Sequence, residues 1–374
     1  MKTVVRFGKS HIELAIRFTE EKVMKIPTID GITAKTIVTN RISTRVLFSG
    51  ADDGVPVLFL HGNISSATWW EETMVALPDG YRGIAPDQRG FGEADFDKKV
   101  DATRGAGDWA DDATALLDHL GIEKAHIVGN SLGGVVVWRL MMDVPARFLT
   151  ATLVDPGSPF GFGGTKDVDG TPCYKDFAGS GGGLSNPELI KRMQAGDMST
   201  ESPVSPRSAL RTLLVKPPLI PEREDALVMS MLATHISEQD VPGDSVQSPN
   251  WPHMAPGKWG ATNALSPKYT GDVNKLFAVE PKTSVLWIRG SHDLAVSDNA
   301  ASDPATVGAM GLLPSYPGPK VYPPQPMLKQ TRAVLEKYAA AGGTYQEVII
   351  EDAGHIPYIE KPIEFNRHFH GHIS

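Results

Sequence analysis

Val128-Gly129-Asn130-Ser131-Leu132-Gly133-Gly134 is the stretch on which the fold turns. It follows the apolar run Ala125-His126-Ile127-Val128 and precedes Val135-Val136-Val137-Trp138-Arg139-Leu140-Met141-Met142, so a strand, a sharp turn and a helix meet at one serine. Glycines leave room where such a turn would crowd any side chain. The Ser131 hydroxyl is then exposed above a sheet, and the Leu132 amide opens the following helix at the positive end of its dipole.

Outward from this turn the same rhythm repeats. Continuous apolar runs at residues 55–60, 81–85, 125–128, 151–154, 284–288 and 346–350 read as strands covered on both faces. Upstream, residues 33–38 and 45–49 read as a β-hairpin leading into that core, followed by the turn Gly50-Ala51-Asp52-Asp53-Gly54. Between the runs lie helical stretches. Asp108 is placed to cap residues 109–120, whose Ala113, Leu116, Leu117 and Leu120 line one face, and Gly121 stops that helix; Pro145 ends the helix after Ser131. Strands alternating with helices imply an α/β fold with a mostly parallel, doubly wound sheet, and ligands are expected beyond the carboxyl ends of its strands.

The rhythm breaks from residue 157 to about 282, where glycine-rich tracts give way to helical and proline-rich stretches. We read 1–156 and 283–374 as the core and 157–282 as an inserted cap, although the glycine tracts equally suit plain linker. A second irregular stretch, 296–326, carries seven prolines from Pro304 to Pro326 and reads as an ordered excursion near the site.

Apolar residues make up 41% and charged residues 21%, ordinary globular usage, and the net charge of −8 disfavours nucleic acid and anionic membrane as partners. Cys173 is the only cysteine, which fits a reducing cytoplasm. Residues 1–24 alternate charge and apolarity, unlike a signal peptide. A homodimer is left open.

A serine hydroxyl needs a base to take its proton and donors to hold the oxyanion that forms. His61-Gly62-Asn63 ends the 55–60 strand, so the Asn63 amide is the natural second donor beside that of Leu132. His355, in Glu351-Asp352-Ala353-Gly354-His355-Ile356-Pro357, follows the last strand and precedes a helix opening at Pro362, which makes it the base. Asp293, just after the penultimate strand, is the first choice to orient that imidazole, and Asp155, at the end of the strand after the nucleophile, is the rival. His368, His370 and His372 are spaced like a weak metal motif without an acidic partner, and no metal is expected. Asp87-Gln88-Arg89-Gly90-Phe91-Gly92 is read as structural, an Asp-Arg pair fixing its loop beside the oxyanion loop.

In the order Ser131, Asp293, His355, with His61-Gly62, Asp87-x-Arg89-Gly90-x-Gly92 and Gly354-His355 between and around them, the chain resembles the α/β-hydrolase superfamily over most of its length. The resemblance implies a lid after the sixth strand, a place that 157–282 occupies at more than usual length. His61-Gly62-Asn63 looks like the corresponding loop of haloalkane dehalogenases, yet those relatives and the epoxide hydrolases use an aspartate where this chain has Ser131. That departure argues against both activities.

The function expected is hydrolysis of a carboxylic ester or lactone through an acyl-enzyme, with no cofactor. Cleavage of a carbon–carbon bond on the same triad and a non-catalytic ligand receptor are the alternatives. Trp69, Phe160, Phe162 and Trp251 are the candidate substrate-binding aromatics, pointing to a small molecule with an apolar acyl group or ring.

Overall fold

The computed structural model describes residues 26–374, so the reading of residues 1–24 falls outside the described residues. Eight strands form the central sheet: β1 (Thr33–Val38), β2 (Ser43–Ser49), β3 (Val55–Leu60), β4 (Tyr81–Pro86), β5 (Ala125–Asn130), β6 (Phe148–Val154), β7 (Ser284–Gly290) and β8 (Tyr345–Ile350). Their spatial order is β1-β2-β4-β3-β5-β6-β7-β8. β1 and β2 form the expected antiparallel hairpin, β2 runs antiparallel to β4, and the remaining six strands are parallel. Because the chain leaves β3 for β4 on one side and returns to β5 on the other, the direction of winding switches beside β3. His61 and Ser131 stand there, just past the carboxyl ends of β3 and β5, where open α/β sheets place their ligand sites.

Alternation along the strands builds the core on both faces. Leu58, Leu60, Ile127, Leu153, Val285 and Trp287 pack on one side with helices Gly107–His119 and Leu132–Asp143. Val57, Phe59, Val128, Val154, Leu286 and Ile288 pack on the other with helix Pro362–Ile373. One helix start differs from expectation. Ala106 holds the N-cap position of Gly107–His119 without a side-chain bond. Asp108 lies inside the first turn, where it accepts the Asp101 amide at 3.0 Å and pairs with Arg41 and Arg104. The two guanidinium groups outcompete the helix's own amides for that carboxylate.

Residues 155–283 join the adjacent strands β6 and β7. They carry helices Pro187–Ala195 and Glu224–Leu232, a π-helical turn at Leu210–Leu214 and two short strand pairs. Val241, Ala261, Ala264 and Leu276 from this insertion enter the core on one face of the sheet, and Leu210, Val215, Leu227 and Met231 enter it on the other. The proline-rich stretch holds one short helix, Pro304–Ala309, and packs Tyr322 and Tyr316 around Trp251. Among the described residues no helix is long and apolar enough to cross a membrane.

Candidate active site

Ser131 has φ 55° and ψ −114°, a left-handed conformation that costs a residue bearing a Cβ about 1–3 kcal/mol. The surrounding contacts hold it there. Its amide donates to Val154 O at 3.1 Å, and its carbonyl accepts from Gly157 N at 3.0 Å and Val135 N at 3.2 Å. Gly133 lets the following helix press onto the sheet, for a Cβ there would lie 2.1 Å from Leu60 O. The Asn130 side chain donates to Val154 O and to His355 O, both at 3.1 Å, and so ties the serine turn to the histidine loop.

His355 is 4% exposed, and its Nδ1 lies 2.8 Å from Asp293 Oδ2. The other Asp293 oxygen accepts the amides of Ala295 at 2.7 Å and Val296 at 3.0 Å. This fixes the carboxylate and sets the ring with its proton on Nδ1, leaving Nε2 to act as a base. Asp155 comes to the same place. Asp155, Asp293 and His355 bring one polar side-chain atom each within 4.8 Å of one another.

The oxyanion loop is oriented by His61. Its Nε2 accepts the Gln88 amide at 2.9 Å, so the ring proton sits on Nδ1, 2.8 Å from Gly62 O, which also accepts Ser65 Oγ at 2.8 Å. Burial holds this imidazole neutral down to about 4. A planar trans peptide points its N–H opposite to its C=O, so locking the Gly62 carbonyl inward turns the Asn63 N–H outward. Neither the Asn63 nor the Leu132 amide donates to a backbone acceptor among the described residues. Gly62 sits close against the serine turn: a Cβ there would lie 3.2 Å from Ser131 Cβ and 3.1 Å from Asn130 Oδ1.

Asp87 fixes this loop, but its partner is not Arg89. Arg45 on β2 donates to both Asp87 oxygens, at 2.9 and 3.2 Å, and to Thr68 Oγ1 at 2.9 Å, while Asp87 Oδ1 accepts the Ala67 amide at 2.9 Å. Arg89 turns away to Asp112, with two bonds of 2.8 Å. The expected Asp-Arg pair is therefore replaced by one reaching 42 residues back along the chain, which sequence spacing does not reveal.

Sequence reasoning also passed over Glu360. Its oxygens accept the amides of Gly354 and Lys216, each at 2.8 Å, and His355 N donates to Leu214 O at 2.8 Å. The insertion is thus stitched to the histidine loop. The signal was present as the acid five residues after His355 in Ile356-Pro357-Tyr358-Ile359-Glu360. Of the four candidate aromatics, Trp69 is buried in the core, Phe160 and Phe162 are half-buried, and Trp251 packs against Tyr322 with its Nε1 on Pro314 O at 2.9 Å.

Comparison with known proteins agrees with this architecture. The family model described as the alpha/beta hydrolase fold matches residues 55–171. The uncharacterized carboxylesterase nap of Bacillus subtilis is 33% identical over 117 residues, 31% of this chain and 38% of that protein. The chain therefore spans well under half the length of this relative. Epoxide hydrolase 3 of Siraitia grosvenorii is 25% identical over 355 residues, 92% of this chain and 99% of that protein. The carboxylesterase CesB structure from Bacillus subtilis superposes with a TM-score of 0.54 at 17% identity, covering 97% of this chain and 99% of that one. The fold is that of the α/β hydrolases.

Proposed function

We propose, with the α/β-hydrolase fold of this chain as premise, that it is a serine hydrolase cleaving a carboxylic ester or lactone through an acyl-enzyme. The observation that carries the reading is the 2.8 Å contact between His355 Nδ1 and Asp293, which leaves Nε2 as the acceptor on a ring tied to the Ser131 turn through Asn130. His355 takes the Ser131 proton as Oγ attacks the carbonyl, and the Asn63 and Leu132 amides hold the oxyanion. The imidazolium, neutralised by Asp293, then protonates the departing alkoxide. Water, deprotonated by the same imidazole, releases the acid and restores Ser131.

The nucleophile discriminates against epoxide opening despite the likeness to an epoxide hydrolase. A carboxylate that opens an epoxide forms an ester, which water can cleave; a serine oxygen would form an ether, which this machinery cannot hydrolyse. For the substrate we propose an apolar or ring-bearing acyl group, on the aromatic residues Phe160 and Phe162 that follow β6. The test is labelling by a fluorophosphonate together with turnover of esters, lactones and vinylogous diketones. Labelling that disappears in Ser131→Ala, with release of acid and alcohol, is expected; a wild-type protein that neither labels nor turns over would leave a ligand receptor, and carbon–carbon cleavage products would move the reaction to that class.

A further inference from the structure

We propose that Asp155 is a neutral carboxylic acid whose proton is donated to Asp293, making it a positioning residue for the triad rather than a second anion beside it. The inference rests on the triad reading above. Asp155 closes β6 at φ 40° and is 2% exposed. Its Oδ1 accepts the Gly290 amide at 3.0 Å, whereas its Oδ2 is buried with no partner among the described residues. One polar side-chain atom each of Asp155, Asp293 and His355 lies within 4.8 Å of the others. Two ionised carboxylates facing each other are both acceptors, so the orphan oxygen finds a partner in Asp293 only if one of the two carries a proton.

The surroundings favour that proton. The titratable groups facing Asp155 are Asp293 and His355 from the loops after β7 and β8, and Glu360 and Tyr358 from helix Pro357–Glu360. None is a lysine or arginine. Burial, then the Asp293 charge, hold the Asp155 carboxyl well above the usual range. Asp293 receives two amides and the His355 ring, whereas Asp155 receives one amide, so the shared proton is assigned to Asp155.

Asn has nearly the shape of a protonated Asp and can still donate. Asp155→Asn is therefore expected to lower kcat/KM by less than about tenfold and to leave the acidic limb of its pH profile in place, while Asp155→Ala, which removes the donor, falls further than Asp155→Asn. An ionised Asp155 gives a different result: removing its charge makes the imidazolium less favourable, and Asp155→Asn moves the acidic limb to lower pH by about one unit or more. That displacement overturns the proposal. The infrared difference spectrum of the resting wild-type protein against Asp155→Asn at pH 7 checks the same point without turnover: a protonated-carboxyl stretch in the wild type supports it, and only a carboxylate band overturns it. Ser131 labelling by fluorophosphonate reports the triad separately, so labelled protein with a displaced limb sinks the Asp155 assignment alone.

Discussion

Glu360 accepts the amide of Gly354 at 2.8 Å, one residue before the His355 imidazole. Its second oxygen accepts Lys216 N from the insertion, so one carboxylate clamps two chain segments. Gln presents only one acceptor oxygen, and one of the two amides loses its partner. Glu360→Gln is expected to lower kcat by about 10-fold or more while KM moves little, since a misplaced base costs chemistry before binding. A change confined to KM would place Glu360 in substrate binding instead.

Asp293→Asn keeps the shape at the triad and removes the charge that stabilises the imidazolium. Loss of an orienting carboxylate of this kind lowers turnover by about 10⁴-fold. Asp155 stands within 4.8 Å, and with its neighbour neutral the Asp293 charge, the second cause after burial that holds its proton, is gone. The double variant Asp293→Asn/Asp155→Asn should therefore fall below the single one, and equal rates for the two would show that Asp155 cannot substitute.

Gly62→Ala tests the oxyanion loop. The added Cβ would stand 3.2 Å from Ser131 Cβ and 3.1 Å from Asn130 Oδ1, so the loop or those side chains must give by a few tenths of an ångström. Losing one oxyanion donor costs roughly 10²–10³ in kcat. Stopped-flow acylation should show that loss with fluorescence-monitored unfolding near the wild-type midpoint; wild-type acylation would remove Asn63 from the hole.

These positions were legible to different degrees. The serine turn, the two candidate amide donors and His355 are local: each follows an apolar strand by one to five residues, and the six parallel strands follow from runs buried on both faces. Arg45 and Gln88 are not local. Arg45 lies on β2, an antiparallel strand that meets Asp87 only because β2 pairs with β4, and nothing in the linear pattern announces that register. Arg89, two residues from Asp87, is the natural guess from spacing, and Asp112 takes it because helix Gly107–His119 packs alongside. The insertion was visible as a break in rhythm, but its stitching to Gly354 and His355 depends on Glu360 reaching both segments.

Arg45→Met follows from that network. Asp87 would remain buried among amides and hydroxyls with its cation gone, and removing one partner of a buried pair typically costs about 3–5 kcal/mol. Urea unfolding should show the loss, with the surviving folded fraction slow in acylation because Asp87 no longer anchors the Ala67 amide. Stability within 1 kcal/mol of wild type, about the value of an exposed pair, would mean that water replaces the guanidinium.

His61 gives the last and most pH-sensitive test. Its folded value is lowered from 6.5 to about 4 by burial, so the unfolded chain binds a proton in that interval that the folded chain refuses. Stability from the neutral ring is thus complete above 6.5 and is lost as pH falls towards 4. Each unit is worth about 1.4 kcal/mol, so the lost contribution reaches about 3 kcal/mol. Replacing the ring with Gln removes the titration, and the stability deficit of His61→Gln relative to wild type should shrink by that amount between pH 8 and pH 4. A deficit that grows on acidification would mean that the folded ring is protonated. In that state Nε2 becomes a donor facing the Gln88 N–H, so that contact cannot persist and the ring loses one of the two bonds that hold it against the Gly62 carbonyl.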